Sequence, residues 1–138
     1  MIRYLIDTNV ASEMRKPKPH GGAFAWFLSL DLDQGFFSAV TFGEIQKGAE
    51  LTRLQDPAKA LELEVWAARL ELASQVLPMT AECFREYARL IHGKSDTLRE
   101  DAMIAATARV HGLTVATRNE RDFRPFSVPV FNPFQYKG

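Results

Sequence analysis

The chain has 138 residues, of which 46% are hydrophobic and 25% are charged. That length and composition are typical of one folded domain, so we expect a single domain over residues 1–138. Lysine and arginine total 17, as do aspartate and glutamate, so the formal charge is zero. This argues against a protein that binds nucleic acid through overall charge alone, although it leaves a local basic face open.

Cysteine content and apolar patterning exclude several further classes. The chain contains one cysteine, Cys83, so it has no disulfide framework and no cysteine-rich metal site. Asp7 interrupts the first apolar stretch, so we expect no signal peptide. No run approaches the roughly 18 apolar residues that a membrane span requires. We therefore expect a cytoplasmic protein without a membrane partner.

Short apolar strands alternate with helices along the chain. The predicted strands are residues 2–6, 36–40, 113–116 and 128–131, with a short extended piece at 76–78. The predicted helices are residues 10–14, 23–30, 41–54, 57–73, 80–94 and 101–111. Such alternation indicates an α/β protein with a central parallel sheet and helices on both faces.

Helical spacing places apolar residues on one face of two of these helices. In helix 23–30 the predicted face is Phe24, Phe27 and Leu28. In helix 57–73 it is Leu61, Val65, Ala68 and Leu72. The apolar stripe of the 41–73 helical pair is long for a domain of this size, which indicates a surface for self-association.

Polar side chains follow the predicted strands. Asp7 comes after the first strand, Glu44 lies in the first turn of the helix after the second, and Asn119 follows the strand at 113–116. Asp101 opens a helix that is apolar almost all round. Because the carboxyl ends of parallel strands share one edge of a sheet, we expect these four side chains to converge.

Three converging carboxylates repel one another unless a cation lies between them. Oxygen ligands without cysteine or a histidine pair favour Mg²⁺ or Mn²⁺ over zinc. Such a site supports hydrolysis by a metal-activated water.

Each carboxylate also has a structural interpretation. Asp7 is a good N-cap for the helix after it, Thr41 and Glu44 have the spacing of a capping box, and Asp101 suits the macrodipole of a helix N-terminus. A phosphatase of the Asp-x-Asp type is excluded, because the residue two positions after Asp7 is Asn9.

Four segments resemble the motifs of PIN-domain proteins. They are residues 5–10 (LIDTNV), 38–45 (SAVTFGEI), 101–108 (DAMIAATA) and 115–119 (VATRN). The chain is most similar to the VapC toxins of bacterial toxin–antitoxin pairs, and residues 130–134 (VFNPF) resemble its FitB-like branch. The resemblance covers essentially the whole chain.

The resemblance implies a three-layer α/β/α domain with a central parallel sheet. It also implies an endoribonuclease that depends on Mg²⁺ or Mn²⁺ and hydrolyses RNA phosphodiester bonds to 5′-phosphate and 3′-hydroxyl ends. The implied partners are RNA, a VapB-type antitoxin and a second copy in a homodimer, with operator DNA contacted only through the antitoxin. The alternative is a non-catalytic PIN-like binding module that acts through an antitoxin and operator-DNA complex.

By position, the resemblance makes Asp7 and Asp101 the principal metal ligands and puts Glu44 in the same acidic cluster. Asn119 stands where these toxins often carry aspartate, so it would assist as a weaker, neutral oxygen ligand. Asp122, one turn further on, could take its place or face solvent. A one-metal mechanism is at least as consistent with this set as a two-metal one.

Two groups of basic residues would flank the acidic edge in this fold. The first is the loop with Arg15, Lys16, Lys18 and His20, and the second is Arg118, Arg121 and Arg124. Both could hold RNA phosphates, or both could be solvated surface.

Overall fold

A computed structural model describes all 138 residues and contains one five-stranded, fully parallel sheet. Its strands are β1 (Tyr4–Ile6), β2 (Gly35–Ser38), β3 (Val76–Leu77), β4 (Thr114–Ala116) and β5 (Val130–Phe131). Their order across the sheet is β3-β2-β1-β4-β5. The predicted α/β class and parallel sheet are therefore confirmed.

Seven α-helices connect or follow the strands. They are α1 (Thr8–Met14), α2 (Gly21–Ser29), α3 (Ala39–Arg53), α4 (Pro57–Ala73), α5 (Ala81–Ile91), α6 (Arg99–His111) and α7 (Glu120–Phe123). None of them combines the length and the apolarity that crossing a membrane requires.

Hydrophobic cores on the two faces of the sheet create three layers. Successive side chains of a strand point to opposite faces, so Leu5 packs in one core and Ile6 in the other. The Leu5 core includes Ile104 and other buried residues of α6. The Ile6 core includes Val10 of α1 and Trp26 of α2. Helices therefore cover both faces of the sheet, as the α/β/α architecture requires.

Helix α6 is the most deeply buried helix, as its composition predicts. Six of its residues are buried, from Ala102 to Ala108 with the exception of Met103. It ends at Gly112, whose left-handed backbone (φ 67°) a residue with a side chain adopts with difficulty. Burial fixes this helix rigidly against the sheet and so fixes the position of Asp101 in its first turn.

Two predicted boundaries are wrong in a way that affects the site. Strand β2 ends at Ser38 instead of residue 40, because the Ser38 hydroxyl accepts a hydrogen bond from the Val40 N–H (3.1 Å) and caps α3. Helix α3 therefore starts at Ala39, and Glu44 lies in its second turn. Likewise α6 starts at Arg99, so Asp101 is its third residue.

The apolar faces predicted for α2 and α4 lie largely outside the core. In α2 the buried residues are Ala23 and Trp26, and Phe27 packs against the core, whereas Phe24 and Leu28 are exposed. In α4 Ala60 is buried, and Trp66 packs against the core. The predicted α4 face points outward instead, with Leu61 58% and Val65 41% exposed.

Candidate active site

The candidate site lies at the carboxyl ends of β1 and β4, where the strand order reverses. The chain runs from β1 outward to β2 and β3, then returns so that β4 pairs with the other side of β1. The connections after two such strands leave the sheet in opposite directions and open a crevice, which is where α/β proteins bind ligands. Asp7 follows β1 and Thr117 follows β4 at this point.

Asp7 is buried and held by three donors. Its Oδ1 accepts a hydrogen bond from the Thr8 N–H (2.8 Å), so Asp7 does cap α1. Its Oδ2 accepts hydrogen bonds from the Thr117 hydroxyl (2.8 Å) and from the Asn9 side-chain amide (3.1 Å). Burial raises the pKa of Asp7 above its usual value, although these hydrogen bonds oppose the rise. The capping role and a place in the site are therefore compatible.

Asn9 and Thr117 connect the ends of β1 and β4. The Asn9 amide also donates to the Thr117 hydroxyl oxygen (3.2 Å), and its Oδ1 accepts from the Arg118 N–H (3.2 Å). Thr117 in turn accepts from the Asn119 N–H (3.0 Å). This small network sets the orientation of the Asp7 carboxylate, a role that sequence reasoning did not assign to either residue.

Glu44 is held by the residue next to Asp7. The Thr8 hydroxyl donates to Glu44 Oε1 (2.7 Å) and also lies 3.1 Å from the Thr41 hydroxyl. Burial raises the pKa of Glu44, with further contributions from the charges of Asp7 and Glu100, and the Thr8 hydrogen bond opposes the rise. Thr41 is buried inside α3, so the predicted capping box is absent and Ser38 is the cap.

Asp101 has the most perturbed carboxyl group of the site. Burial, followed by the charges of Asp7, Asp122, Glu44 and Glu100, raises its pKa from 3.8 to about 7. The structure therefore brings Asp7, Glu44 and Asp101 close enough together to interact electrostatically. None of the three forms an ion pair with a lysine or arginine.

Asp122 and Asn119 differ in their exposure and in their electrostatic effect on the Asp7, Glu44 and Asp101 carboxylates. The Asn119 side chain is exposed and makes no capping hydrogen bond to α7. Asp122 is half-buried, and its charge raises the pKa of both Asp7 and Asp101. The sequence signal for Asp122 was its spacing of three residues from Asn119, since side chains one helical turn apart lie on the same face of a helix.

The donor set fits a hard divalent cation. Its atoms are carboxylate oxygens, and no lysine or arginine forms an ion pair with them, although the charge of Lys47 acts on Glu44. No group of three or more His, Cys, Asp or Glu side chains is arranged as a complete metal site. Mg²⁺ requires less than that, because proteins commonly hold it through one or two carboxylates while water and substrate phosphates complete its coordination.

The family of the chain follows from comparison with known proteins. The PIN domain profile matches residues 4–127, which is most of the chain and includes the whole crevice. The chain belongs to the PIN-domain family.

Individual relatives place the chain more narrowly. It is 37% identical to Toxin FitB of Neisseria gonorrhoeae, over 94% of this chain and 97% of that protein. It is 32% identical to VapC ribonuclease Y4jK of Sinorhizobium fredii, over 95% and 97%. A solved structure of FitAB bound to an IR36 DNA fragment matches with a TM-score of 0.79 and 35% identity, over 98% of both chains. Within the family, the chain is a PIN toxin of the VapC and FitB kind.

Proposed function

We propose that this chain is the toxin of a toxin–antitoxin pair and acts as a metal-dependent endoribonuclease in the cytoplasm. The observation that carries this proposal is the group of carboxylates around Asp7 and Asp101, which has raised pKa values and forms no ion pair with a lysine or arginine. Relatives named as VapC ribonucleases and as a toxin support the activity. PIN-domain ribonucleases in general depend on divalent metal ions.

We assign Asp7 and Asp101 as the residues that hold Mg²⁺ or Mn²⁺. Such a cation, when bound, lowers the pKa of an attacking water and neutralises charge that develops on the phosphate. The hydrogen bonds from Thr8, Thr117 and Asn9 fix Asp7 and leave one lone pair, on Oδ1, for a cation. The rigid, buried α6 fixes Asp101.

Glu44 would orient the attacking water or contact the cation. Its carboxylate is held by the short hydrogen bond from Thr8, which leaves the second oxygen available. Water would add its oxygen to phosphorus as the bond to the 3′ oxygen breaks, and that oxygen would take up a proton. The products would then carry 5′-phosphate and 3′-hydroxyl ends.

We propose Asp122 as the fourth acidic residue of the site. Its charge acts on Asp7 and Asp101, whereas Asn119 contributes a backbone hydrogen bond to Thr117. Asn119 would then help to shape the crevice without binding the cation directly.

We propose that a VapB- or FitA-type antitoxin neutralises the toxin and mediates any contact with operator DNA. The similar solved structure of FitAB was determined bound to a DNA fragment. Other similar folds include a DNA-bound VapBC from Salmonella typhimurium, at a TM-score of 0.69.

Induced expression in a bacterial host tests the function. We expect the wild type to arrest growth and Asp7→Ala to permit it. Asp7→Asn should also permit growth, and because asparagine is itself a good N-cap this variant keeps the cap of α1. Asp33→Ala, at an exposed position of the α2–β2 turn, is the matched control and should remain toxic. Equal toxicity of wild type and Asp7→Asn at equal protein levels would favour the non-catalytic binding module.

A further inference from the structure

A polar cleft of about 480 Å³ opens beside the acidic cluster. Its walls include Arg118, Arg121, Arg124, Asp122 and Asn132, and no hydrophobic side chain lines it. Arg118 comes two residues after β4, and Asn132 comes directly after β5. The cleft therefore lies over the carboxyl ends of β4 and β5, on the opposite side of Asp7 from Glu44.

The three arginines of this cleft are exposed, and none of them forms an ion pair. The charge of Arg118 does help to lower the pKa of Glu13. The Arg118 guanidinium carbon lies 4.5 Å from the centre of the Phe134 ring. Stacking of this kind holds the guanidinium plane without using its N–H groups, which remain free for an anion.

The basic loop at residues 15–20 is different. Lys16 pairs with the buried Glu13 carboxylate at 2.9 Å, and Glu13 also accepts from the His20 backbone N–H. The His20 Nδ1 accepts a hydrogen bond from Ala23, and the Arg15 guanidinium lies 6.0 Å from the Trp66 ring centre. Lys16 and His20 thus have polar partners within the loop, whereas none of the three cleft arginines has a side-chain hydrogen bond or ion pair.

The cleft adjoins the candidate metal site. Arg118 and Asn119 line the cleft and directly follow Thr117, whose hydroxyl donates to Asp7 (2.8 Å) and accepts from the Asn119 N–H (3.0 Å). Asp122 lines the cleft too, and its charge acts on Asp7 and Asp101. A polymer with one phosphate at the carboxylates would therefore have its neighbouring phosphates next to the cleft. A second carboxylate, Glu120, lines the cleft as well, and the arginines leave an excess of positive charge there.

We propose that this cleft binds the RNA backbone next to the scissile phosphate, with Arg118, Arg121 and Arg124 contacting phosphate oxygens. Arginine suits this role because its planar fork matches the geometry of phosphate in a bidentate manner. The proposal rests on the proposed ribonuclease function. It adds the path of the bound RNA, which runs from the carboxylates across the end of β4 toward β5.

RNA binding measured in the non-cleaving Asp101→Asn background tests the proposal. The probe is a fluorescently labelled 12-nucleotide single-stranded RNA of mixed sequence, titrated with Mg²⁺ present over a series of salt concentrations. On single-stranded nucleic acid, log affinity falls linearly with log salt concentration, and each lost phosphate contact makes that slope shallower by about 0.7. We therefore expect Arg121→Gln/Arg124→Gln to reduce the slope by about 1.4 and to weaken binding roughly tenfold at low salt.

Arg85→Gln is the control, since it removes the same charge from an exposed position on α5 that has no ion pair. It should leave both affinity and slope unchanged. Poly-glutamate, a polyanion without phosphate, serves as a second probe. We expect the double variant to lose much less affinity for it than for RNA.

Three results would overturn the proposal. These are no measurable RNA binding by the Asp101→Asn protein, an unchanged salt slope in the double variant, and an equal loss for poly-glutamate and RNA. The last would make the cleft a site for acidic protein segments. A separate cleavage assay of the wild type distinguishes the two claims. If the wild type does not cleave RNA but the double variant has a reduced slope, the cleft binds RNA and the ribonuclease function is wrong. If the wild type cleaves RNA but the slope is unchanged, the ribonuclease function stands and the role of the cleft is wrong.

Discussion

At the scale of single residues, Asp122 and Asn119 make different contributions to the charge of the site. A charged ligand raises cation affinity, and a cation that binds only the folded state stabilises it by linkage. We expect Asp122→Asn to reduce the rise in melting temperature that Mg²⁺ or Mn²⁺ produces.

The matched variant is Asn119→Asp, which adds a carboxylate at the exposed neighbouring position. It should change the metal-induced rise much less than Asp122→Asn does. Thermal melting over a metal titration measures both. If Asn119→Asp markedly enlarged the rise while Asp122→Asn had no effect, residue 119 would be the metal-linked position and our assignment of Asp122 would be wrong.

Thr8 gives a second prediction at this scale. Thr8→Val keeps the shape of the side chain but removes the hydroxyl that donates to Glu44 at 2.7 Å. A hydrogen bond to a charged group contributes about 1.5–3 kcal/mol, so we expect RNA cleavage to slow roughly tenfold or more. Thr8→Ser, which restores the hydroxyl, should recover most of the rate. Unchanged kinetics in Thr8→Val would mean that Glu44 needs no such support.

Sequence alone predicts the site residues whose position follows directly from the order of the strands. Asp7 and Glu44 follow adjacent parallel strands, and their convergence needs no side-chain detail. Asp122 was harder to assign, because its orientation depends on the short helix α7 and on how Phe123 beside it packs into the core. The hydrogen bonds of Asn9 and Thr117 were not predictable, since they depend on sub-ångström placement of loops.

At the scale of elements, helix α4 shows what periodicity alone leaves undecided. Leu61, Val65 and Leu72 have helical spacing, yet they point to solvent, and Trp66 and Leu70 pack against the core instead. Both stripes are apolar, so spacing alone could not decide which one faces the sheet. The exposed stripe is what a second copy of the chain would be expected to cover.

We accordingly predict a homodimer whose contact includes this stripe. Leu51 and Leu54 at the end of α3 are exposed and extend the apolar surface. Leu61→Lys/Val65→Lys should convert a dimer to a monomer at micromolar concentration, because it buries unpaired charges in the contact. Sedimentation velocity measures the change.

Phe84→Lys is the control for this experiment, since Phe84 is an exposed apolar residue on α5, a helix that packs against α6. It should leave the sedimentation coefficient unchanged. A wild type that sediments as a monomer at micromolar concentration would contradict the prediction, as would a Leu61→Lys/Val65→Lys variant that stays dimeric.

At the scale of the whole molecule, the carboxylate cluster makes stability depend on pH. Burial and neighbouring charges raise the pKa of Asp101 from 3.8 to about 7 in the folded state. Between about pH 4 and 7 the folded protein therefore retains a proton that the unfolded chain releases. By linkage, the free energy of unfolding falls as the pH rises through that interval and levels off above it.

We expect the metal-free wild type to lose melting temperature relative to Asp101→Asn between pH 5 and pH 8. A difference of a few degrees is reasonable, since 1 kcal/mol corresponds to roughly 4 °C for a domain of this size. Comparing the two proteins removes the contribution of Glu13, Glu50, Glu64 and Glu86, whose lowered pKa values act in the opposite direction and at lower pH. Calorimetry in a chelator measures the effect, and parallel pH profiles for the two proteins would refute it.

The function proposed for the whole molecule depends on whether the carboxylate crevice cleaves RNA. The most direct measurement is cleavage of bulk transfer and ribosomal RNA by purified protein, with Mg²⁺ or Mn²⁺ and with chelator, for wild type and Asp101→Asn. We predict metal-dependent fragments with 5′-phosphate ends for the wild type and none for Asp101→Asn, although the variant folds and is no less stable without metal, because one repelling charge is gone. Near wild-type cleavage by a folded Asp101→Asn protein, or wild-type cleavage that persists in chelator, would contradict it.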